Sequence, residues 1–229
     1  MGIWHGKKKH KQNNAGSAIV TVLVVVTFIT ILATVMLYIS GLNFQMKATD
    51  YRTKESFYQA EIPVEELRSQ LVKDMQIAFA KAYTAAMSEY AGLGNKENRE
   101  ASYRQHFCDE LNKIWKERCG LIADSNNLDW GEGIRKVVQP AADGGYWSVK
   151  VAEASGWDTS RAVSNGQVIL RGVTFTYDSP THYESDISTD YCITIPPINW
   201  SDVYEPSPTS SPTPMDFSGY VNYMNWTKS

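Results

Sequence analysis

An uncharged stretch of about 26 residues, Ser17 to Leu42, constrains the fold of this chain more than any other part of its sequence. At ~1.5 Å per residue, a helix of this length reaches about 39 Å, which exceeds the ~30 Å hydrocarbon core of a membrane. Many of its residues are β-branched, but a single strand cannot satisfy its backbone groups in lipid, whereas a helix can. The stretch therefore predicts one transmembrane helix over residues 17–42.

The charges that flank this span predict its orientation. Lys7, Lys8, Lys9 and Lys11 precede it, and the first charge after it is Lys47. Positive residues beside a span stay on the cytoplasmic side, so we expect a single-pass cell membrane protein with a cytoplasmic N-terminus and an extracytoplasmic head. The four leading lysines contribute +4 to a formal net charge of −3, so the rest of the chain carries −7. This acidity argues against nucleic acid as a partner.

A secretory signal peptide is the competing interpretation of the span. Such a peptide has an apolar core of roughly 7–15 residues followed by small residues at a cleavage site. The apolar run here is longer, and Tyr38-Ile39-Ser40 is a poor site. A better site lies at the other end, at Ala15-Gly16-Ser17, where a basic leader of residues 1–16 meets the apolar run.

This arrangement resembles the class III leader of type IV prepilins and pseudopilins. The resemblance implies that a prepilin peptidase cuts after Gly16 and that Ser17 becomes the mature, N-methylated terminus. The family usually carries Glu at the fifth mature position, but this chain has Thr21 there. Some minor pilins and tip pseudopilins also lack that Glu. Thr21 therefore has no carboxylate for the family's usual pairing with a neighbouring subunit's terminal amine. An uncleaved signal anchor is the alternative interpretation of the leader.

Residues 43–91 show helical periodicity and predict an extracytoplasmic stalk helix. Its apolar stripe steps by three and four, with one slip after Leu71: Phe57, Ala60, Val64, Leu67, Leu71, Met75, Ala78, Ala82 and Ala86. Pro63 lies inside the pattern, so we expect it to kink the helix or to start a new one. Gly92 and Gly94 are expected to end it.

The segment Phe57-Tyr58-Gln59-Ala60-Glu61, followed by Val64-Glu65-Glu66, resembles a segment common in minor pilins. A membrane span that runs into an amphipathic helix also matches the pilin stalk. A coiled-coil stalk on an unrelated anchored protein is the alternative, but the 3-4 repeat is short and slips.

Residues 92–203 predict an α+β head. A helix is expected from Glu100 to Cys119, followed by a polar loop. The period then changes to two, which predicts strands around residues 147–151, over Gln167–Tyr177 with a bulge at Gly172, and over Tyr183–Ile195. Ser164-Asn165-Gly166 is expected to form a tight turn. The long N-terminal helix would then pack on one face of a small antiparallel sheet, in an arrangement that resembles the pilin head.

The last part of the chain divides into a linker and a tail. Four prolines among Ser and Thr predict an extended linker over residues 204–215: Pro206, Pro208, Pro212 and Pro214. Residues 216–229 form an aromatic tail that contains Phe217, Tyr220, Tyr223 and Trp226. We expect the tail to fold back onto the head, and a contact surface for another molecule is the alternative.

The sequence gives little basis for an enzyme or a cofactor. The predicted exterior holds two histidines, His106 and His182, without metal-ligand spacing, and no nucleotide-binding or hydrolase motif is present. Some pseudopilin heads bind calcium, and the candidates here lie in and near one loop: Asp124, Asn126, Asp129 and Glu132, with Asp143 close by. Their spacing does not match an EF-hand, and a solvated loop is the simpler interpretation.

Three cysteines lie in the predicted exterior. Cys108 and Cys119 are eleven residues apart on one predicted helix, about 16 Å from each other, so they cannot bridge. A possible disulfide joins Cys108 or Cys119 to Cys192, and three free thiols are the other possibility.

Two hypotheses follow for function. The first is a structural subunit, a minor pilin or pseudopilin of a type IV pilus (a fimbrium) or type II secretion-like filament at the cell surface. Its expected partners are the lipid bilayer, other pilin subunits, a prepilin peptidase and an inner-membrane assembly platform. The second is a permanently anchored extracytoplasmic binding protein or adhesin.

Overall fold

The computed structural model describes residues 15–89, 92–120, 128–141, 143–152, 157–181, 183–198 and 216–228. The chain divides into two compact units, Met1–Tyr51 and Arg52–Ser229. The first helix, α1, is assigned over Ala15–Glu89, so it supplies residues to both units.

The first unit contains the apolar part of α1. Ser17–Glu89 contains one helical window that is long and apolar enough to cross a membrane, by length and composition, and none of that window is buried. Every described side chain from Ser17 to Lys47 is exposed. The apolar N-terminal helix predicted from the sequence is therefore present.

In the second unit, α1 forms one wall of the core. The predicted stripe is fully buried from Ala60 to Ala86, whereas Phe57 at its start is half-buried. Pro63 lies inside the helix, and no new helix begins there. Ala60 and Val64 on either side of it are both fully buried, so packing on the head offsets the lost hydrogen bond. The helix ends at Glu89, whose carbonyl accepts from the Gly92 N–H at 2.9 Å.

The second helix, α2, spans Lys96–Cys119 and begins four residues earlier than the expected Glu100. The reason is a cap: the Asn95 side chain accepts a hydrogen bond from the Asn98 N–H at 2.8 Å. Gly120, with φ +69°, ends the helix. The buried face of α2 includes Tyr103, Phe107, Cys108, Leu111, Trp115 and Cys119.

Four antiparallel strands form one sheet in the order β1-β2-β3-β4. They are β1 (Tyr146–Val151), β2 (Gln167–Asp178), β3 (Glu184–Thr194) and β4 (Val221–Lys228). Two short helices precede β1 and β2, namely α3 (Trp130–Arg135) and α4 (Ala162–Asn165). Tyr191 of β3 donates its hydroxyl to the Val64 carbonyl at 3.0 Å, so α1 covers this face of the sheet and the α+β arrangement is confirmed.

Gly166 and Gly172, which lie before and within β2, both adopt a positive φ. The β2–β3 register shifts between Leu170 and Val173, and Gly172 has φ +62°, which confirms the predicted bulge. The expected tight turn at 164–166 differs: Asn165 ends the single-turn helix α4, and Gly166 takes the left-handed conformation as its cap. The loop before β2 therefore closes as a helical turn.

The aromatic tail returns to the head, as expected, but it does so as a strand. β4 pairs with β3 from Ile193↔Val221 to Ile187↔Lys228. The sequence did not predict this fourth strand, because only Val221 of β4 is fully buried and the strand lacks a clear alternation. The linker of residues 204–215 lies outside the described residues.

Candidate functional site

The exposed apolar surface of α1 contains threonines whose hydroxyls bond to their own helix. Thr27 Oγ1 donates to the Leu23 carbonyl, Thr30 Oγ1 to Val26 and Thr34 Oγ1 to Thr30, each at 2.8 Å. Bonds from a residue to the carbonyl four positions earlier satisfy the hydroxyl without a partner helix. The hydroxyls of these three threonines are therefore compatible with an apolar surrounding.

The predicted processing site lies in the first turn of α1. Gly16 and Ser17 are both helical, and residues 1–14 of the leader lie outside the described residues. Thr21, at the position where the resembled family carries Glu, donates its hydroxyl to the Ser17 carbonyl at 2.9 Å. Cleavage after Gly16 and methylation of Ser17 stay predictions.

Arg68 of α1 binds the C-terminal segment, residues 218–223, through hydrogen bonds and a ring contact. Its Nε donates to the Val221 carbonyl at 3.1 Å, and its Nη2 donates to the Ser218 carbonyl at 3.3 Å. Its guanidinium carbon lies 5.4 Å from the centre of the Tyr223 ring. One side chain therefore makes three contacts with a segment about 150 residues later. Sequence reasoning missed it, because Arg68 occupies an ordinary polar position of the helix.

An ion pair joins α1 to α2 inside the head. Arg118 approaches the Asp74 carboxylate with both terminal nitrogens, at 2.5 and 2.9 Å, and Gln70 Nε2 donates to it at 2.8 Å. The Asp74 side chain is 1% exposed, and the Arg118 guanidinium lies 4.6 Å from the Trp115 ring centre. Trp115, Trp130 and Trp157 form a cluster with ring centres 5.2–6.3 Å apart.

The calcium candidates are not brought together in the described part of the chain. Asp129 caps α3 by accepting the Glu132 N–H at 2.9 Å, and Glu132 lies 4.0 Å from Lys136. Asp143 accepts the Tyr177 hydroxyl, and this bond holds the pKa of Asp143 below its ordinary value. Asp124 and Asn126 lie outside the described residues. Among those described, no group of three or more His, Cys, Asp or Glu side chains is placed to hold a metal ion.

All three cysteines are free and buried, so the possible disulfide of Cys108 or Cys119 with Cys192 is not formed in this structure. Cys192 of β3 pairs with Ile169 of β2, and its side chain is on the opposite face of the sheet from Tyr191. The Tyr191 face is the one that α1 covers, and α2 is joined to α1 on that face. Burial raises the pKa of the Cys108 and Cys119 thiols to about 11. These thiols are therefore protonated at neutral pH and are poor nucleophiles.

His106 belongs to a surface pair. Its Nε2 lies 3.2 Å from Glu89 Oε2, which also accepts the Ser102 hydroxyl at 2.9 Å. The hydrogen bond with His106 is the main cause that lowers the pKa of Glu89. The pair links the end of α1 to α2. His182 lies outside the described residues.

Comparison with known proteins gives no relative from which to assign a function. No family model matches the chain. No curated protein matches it, and no solved structure matches it.

Proposed function

We propose that the protein is a minor pilin or pseudopilin, a structural subunit of a type IV pilus or type II secretion-like filament that is inserted by its N-terminal helix. The observation that carries the proposal is the contrast within α1. Its described side chains from Ser17 to Lys47 are exposed, whereas its stripe from Ala60 to Ala86 is fully buried in the head. One helix therefore presents an apolar surface that needs a partner and also builds the core of a soluble head.

Burial of the exposed surface is strongly favourable. Removing apolar surface from water contributes about 25 cal/mol per Å², so a surface of this extent does not stay in water. Before assembly, lipid tails cover it. In the filament, the same helices of neighbouring subunits cover it. The bonds from Thr27, Thr30 and Thr34 to their own carbonyls leave the surface apolar in both surroundings.

The leader and the segment Phe57-Tyr58-Gln59-Ala60-Glu61 resemble the corresponding parts of minor pilins, and this resemblance is why we propose that family. Because basic residues precede the span, we expect the N-terminus in the cytoplasm and the head outside. Thr21 replaces the usual Glu and bonds to Ser17, so this subunit carries no carboxylate for a neighbour's terminal amine at that position. Such a subunit suits a tip or low-copy position rather than the main body of a filament.

Mass spectrometry of the N-terminus tests the proposal. In cells that contain a prepilin peptidase, we expect a mature protein that begins at Ser17 and carries an N-methyl group. Gly16→Leu should retain the leader, and Gly6→Leu, inside the leader but away from the cut, should be processed normally. An intact leader on the unaltered protein would refute the proposal and favour a permanently anchored binding protein or adhesin.

A further inference from the structure

The connection between β3 and β4 is much longer than their pairing needs. Ile193 of β3 lies directly opposite Val221 of β4. Antiparallel strands that meet in this way can be joined by two to five residues. About 27 residues, 194–220, separate the two in this sequence. Chain connectivity therefore does not require β4 to pair with the β3 of its own chain.

β4 binds to a well-defined surface, which we call the β4 site: the edge of β3 together with Arg68 and Phe57 of α1. Arg68 donates to the Val221 and Ser218 carbonyls. Lys228 Nζ, at the other end of β4, lies 3.6 Å from the centre of the Phe57 ring. The site therefore holds the strand at both ends, and all of it lies in the second unit.

The β4 site recognises this particular strand by its side chains. Asp190 Oδ2 accepts a hydrogen bond from Asn225 Nδ2 at 2.6 Å, and Asn225 adopts φ +53°, which asparagine tolerates better than most residues. Thr189 donates its hydroxyl to the Met224 carbonyl at 3.1 Å, beside a register shift in β3. A strand without Asn225 at this place would leave Asp190 without that donor. The best occupant is therefore a copy of β4 itself.

The length of the linker allows the strand to reach a second head. Residues 199–215 connect the described parts of the chain, and they include the predicted linker of residues 204–215, whose Pro, Ser and Thr content is typical of an extended chain. Seventeen fully extended residues span at most roughly 56–61 Å, at ~3.3–3.6 Å per residue. Two heads of this size in contact have centres roughly 40 Å apart. A neighbouring β4 site therefore lies within reach.

We propose that β4 is exchanged between two copies of this chain, so that the strand of one subunit occupies the β4 site of the next. Exchanged and local pairing make the same contacts, so the balance depends on the linker and on the concentration of neighbouring heads. Heads held close together, by a membrane or by any assembly, favour exchange. The proposal goes beyond the proposed function, because it does not depend on cleavage of the leader.

A native cysteine makes the exchange directly measurable. Cys192 lies opposite Asn222, and residues in that relation have Cα atoms roughly 4.5–5.5 Å apart, which suits a disulfide. A full-length donor chain carries Cys192→Ser and Asn222→Cys, and an acceptor chain with a different tag keeps both native residues. Neither chain can form the 192–222 disulfide within itself. We expect mild oxidation of membranes that contain both chains to give a dimer with both tags, which a reducing agent separates.

Two controls make the result specific. An acceptor with Cys192→Ser should lose the mixed dimer, because Cys108 and Cys119 do not lie opposite the donor strand. A single chain with Asn222→Cys alone reports whether the bond also forms locally. Absence of the mixed dimer overturns the proposal, and a disulfide confined to the single chain would show that β4 stays on its own β3. The mass of the N-terminus is a separate measurement, so either proposal can fail without the other.

Discussion

Asp74 of α1 and Arg118 of α2 meet as a two-point ion pair, with Arg118 Nη2 2.9 Å from Asp74 Oδ1 and the carboxylate almost fully buried. The pair joins two helices that are consecutive in the chain, since α1 ends at Glu89 and α2 begins at Lys96. Arg118 also covers the Trp115 ring. The ion pair therefore fixes the position of α2 against α1, and we expect its loss to lower the free energy of unfolding of the whole head.

Arg118→Met should destabilise the head by about 3 kcal/mol, because it leaves a buried carboxylate with Gln70 as its remaining described partner. Urea unfolding of the full chain in detergent, followed by tryptophan fluorescence, measures this change. Lys81→Met is the matched control: it breaks the more exposed pair with Glu110 and should cost less than about 1 kcal/mol. Equal effects of the two substitutions would show that Asp74 does not depend on Arg118.

Leu71→Ala should cost about 3 kcal/mol, because Leu71 is fully buried in the stripe of α1 and its truncation leaves a cavity. Ile77→Ala on the same helix is the control, since Ile77 is 47% exposed and its truncation should cost under about 1 kcal/mol. The midpoint and slope of urea unfolding give both values. A small effect at Leu71 would mean that α1 is not a wall of the core.

Gly172→Ala should destabilise the sheet by at least about 2 kcal/mol for two reasons. Its φ of +62° is costly for a residue with a Cβ, and the added Cβ would overlap the Cβ of Ala152. Gly219→Ala is the control, because it has an ordinary φ and no atom within 4 Å of the added Cβ. Thermal unfolding of the two variants compares them. Similar melting temperatures would argue against the bulge between β2 and β3.

The buried thiols predict a loss of stability at alkaline pH. In the unfolded chain Cys108 and Cys119 ionise near their ordinary pKa of 9.0, whereas in the folded head their pKa is about 11. Between these values the folded state binds more protons, so its stability is complete below about pH 9 and falls as the pH rises towards 11. Tyrosines also titrate there, so the measurement is the difference between the unaltered chain and a variant with Cys108→Ala and Cys119→Ala.

That difference should be constant below about pH 9 and should shrink above it, in unfolding midpoints measured at intervals from pH 7 to 11. A difference that does not change with pH would mean that the thiols ionise as freely in the folded head as in the unfolded chain. Alkylation gives an independent check: at pH 8 both thiols should react slowly until urea unfolds the head.

Periodicity explains which parts of the structure were predictable. The stripe from Ala60 to Ala86 and the alternation in β1 to β3 are local patterns, because burial on one face repeats at the spacing of a helix or of a strand. The start of α2 was missed by four residues, since the cap at Asn95 lies outside the apolar pattern. β4 was missed as a strand because it lies at the edge of the sheet and most of its side chains are exposed.

By itself, the sequence determined the apolar helix, the amphipathic stripe that follows it, and α2 followed by strands β1 to β3, because each of these follows from the chemistry of residues close together in the chain. Only the tertiary structure decided that Asp74 meets Arg118, that Arg68 holds the segment around Val221, and that β4 pairs with β3. Those pairings join residues far apart in the chain, and they depend on how α1, α2 and the sheet pack together. No local spacing in the sequence encodes that packing.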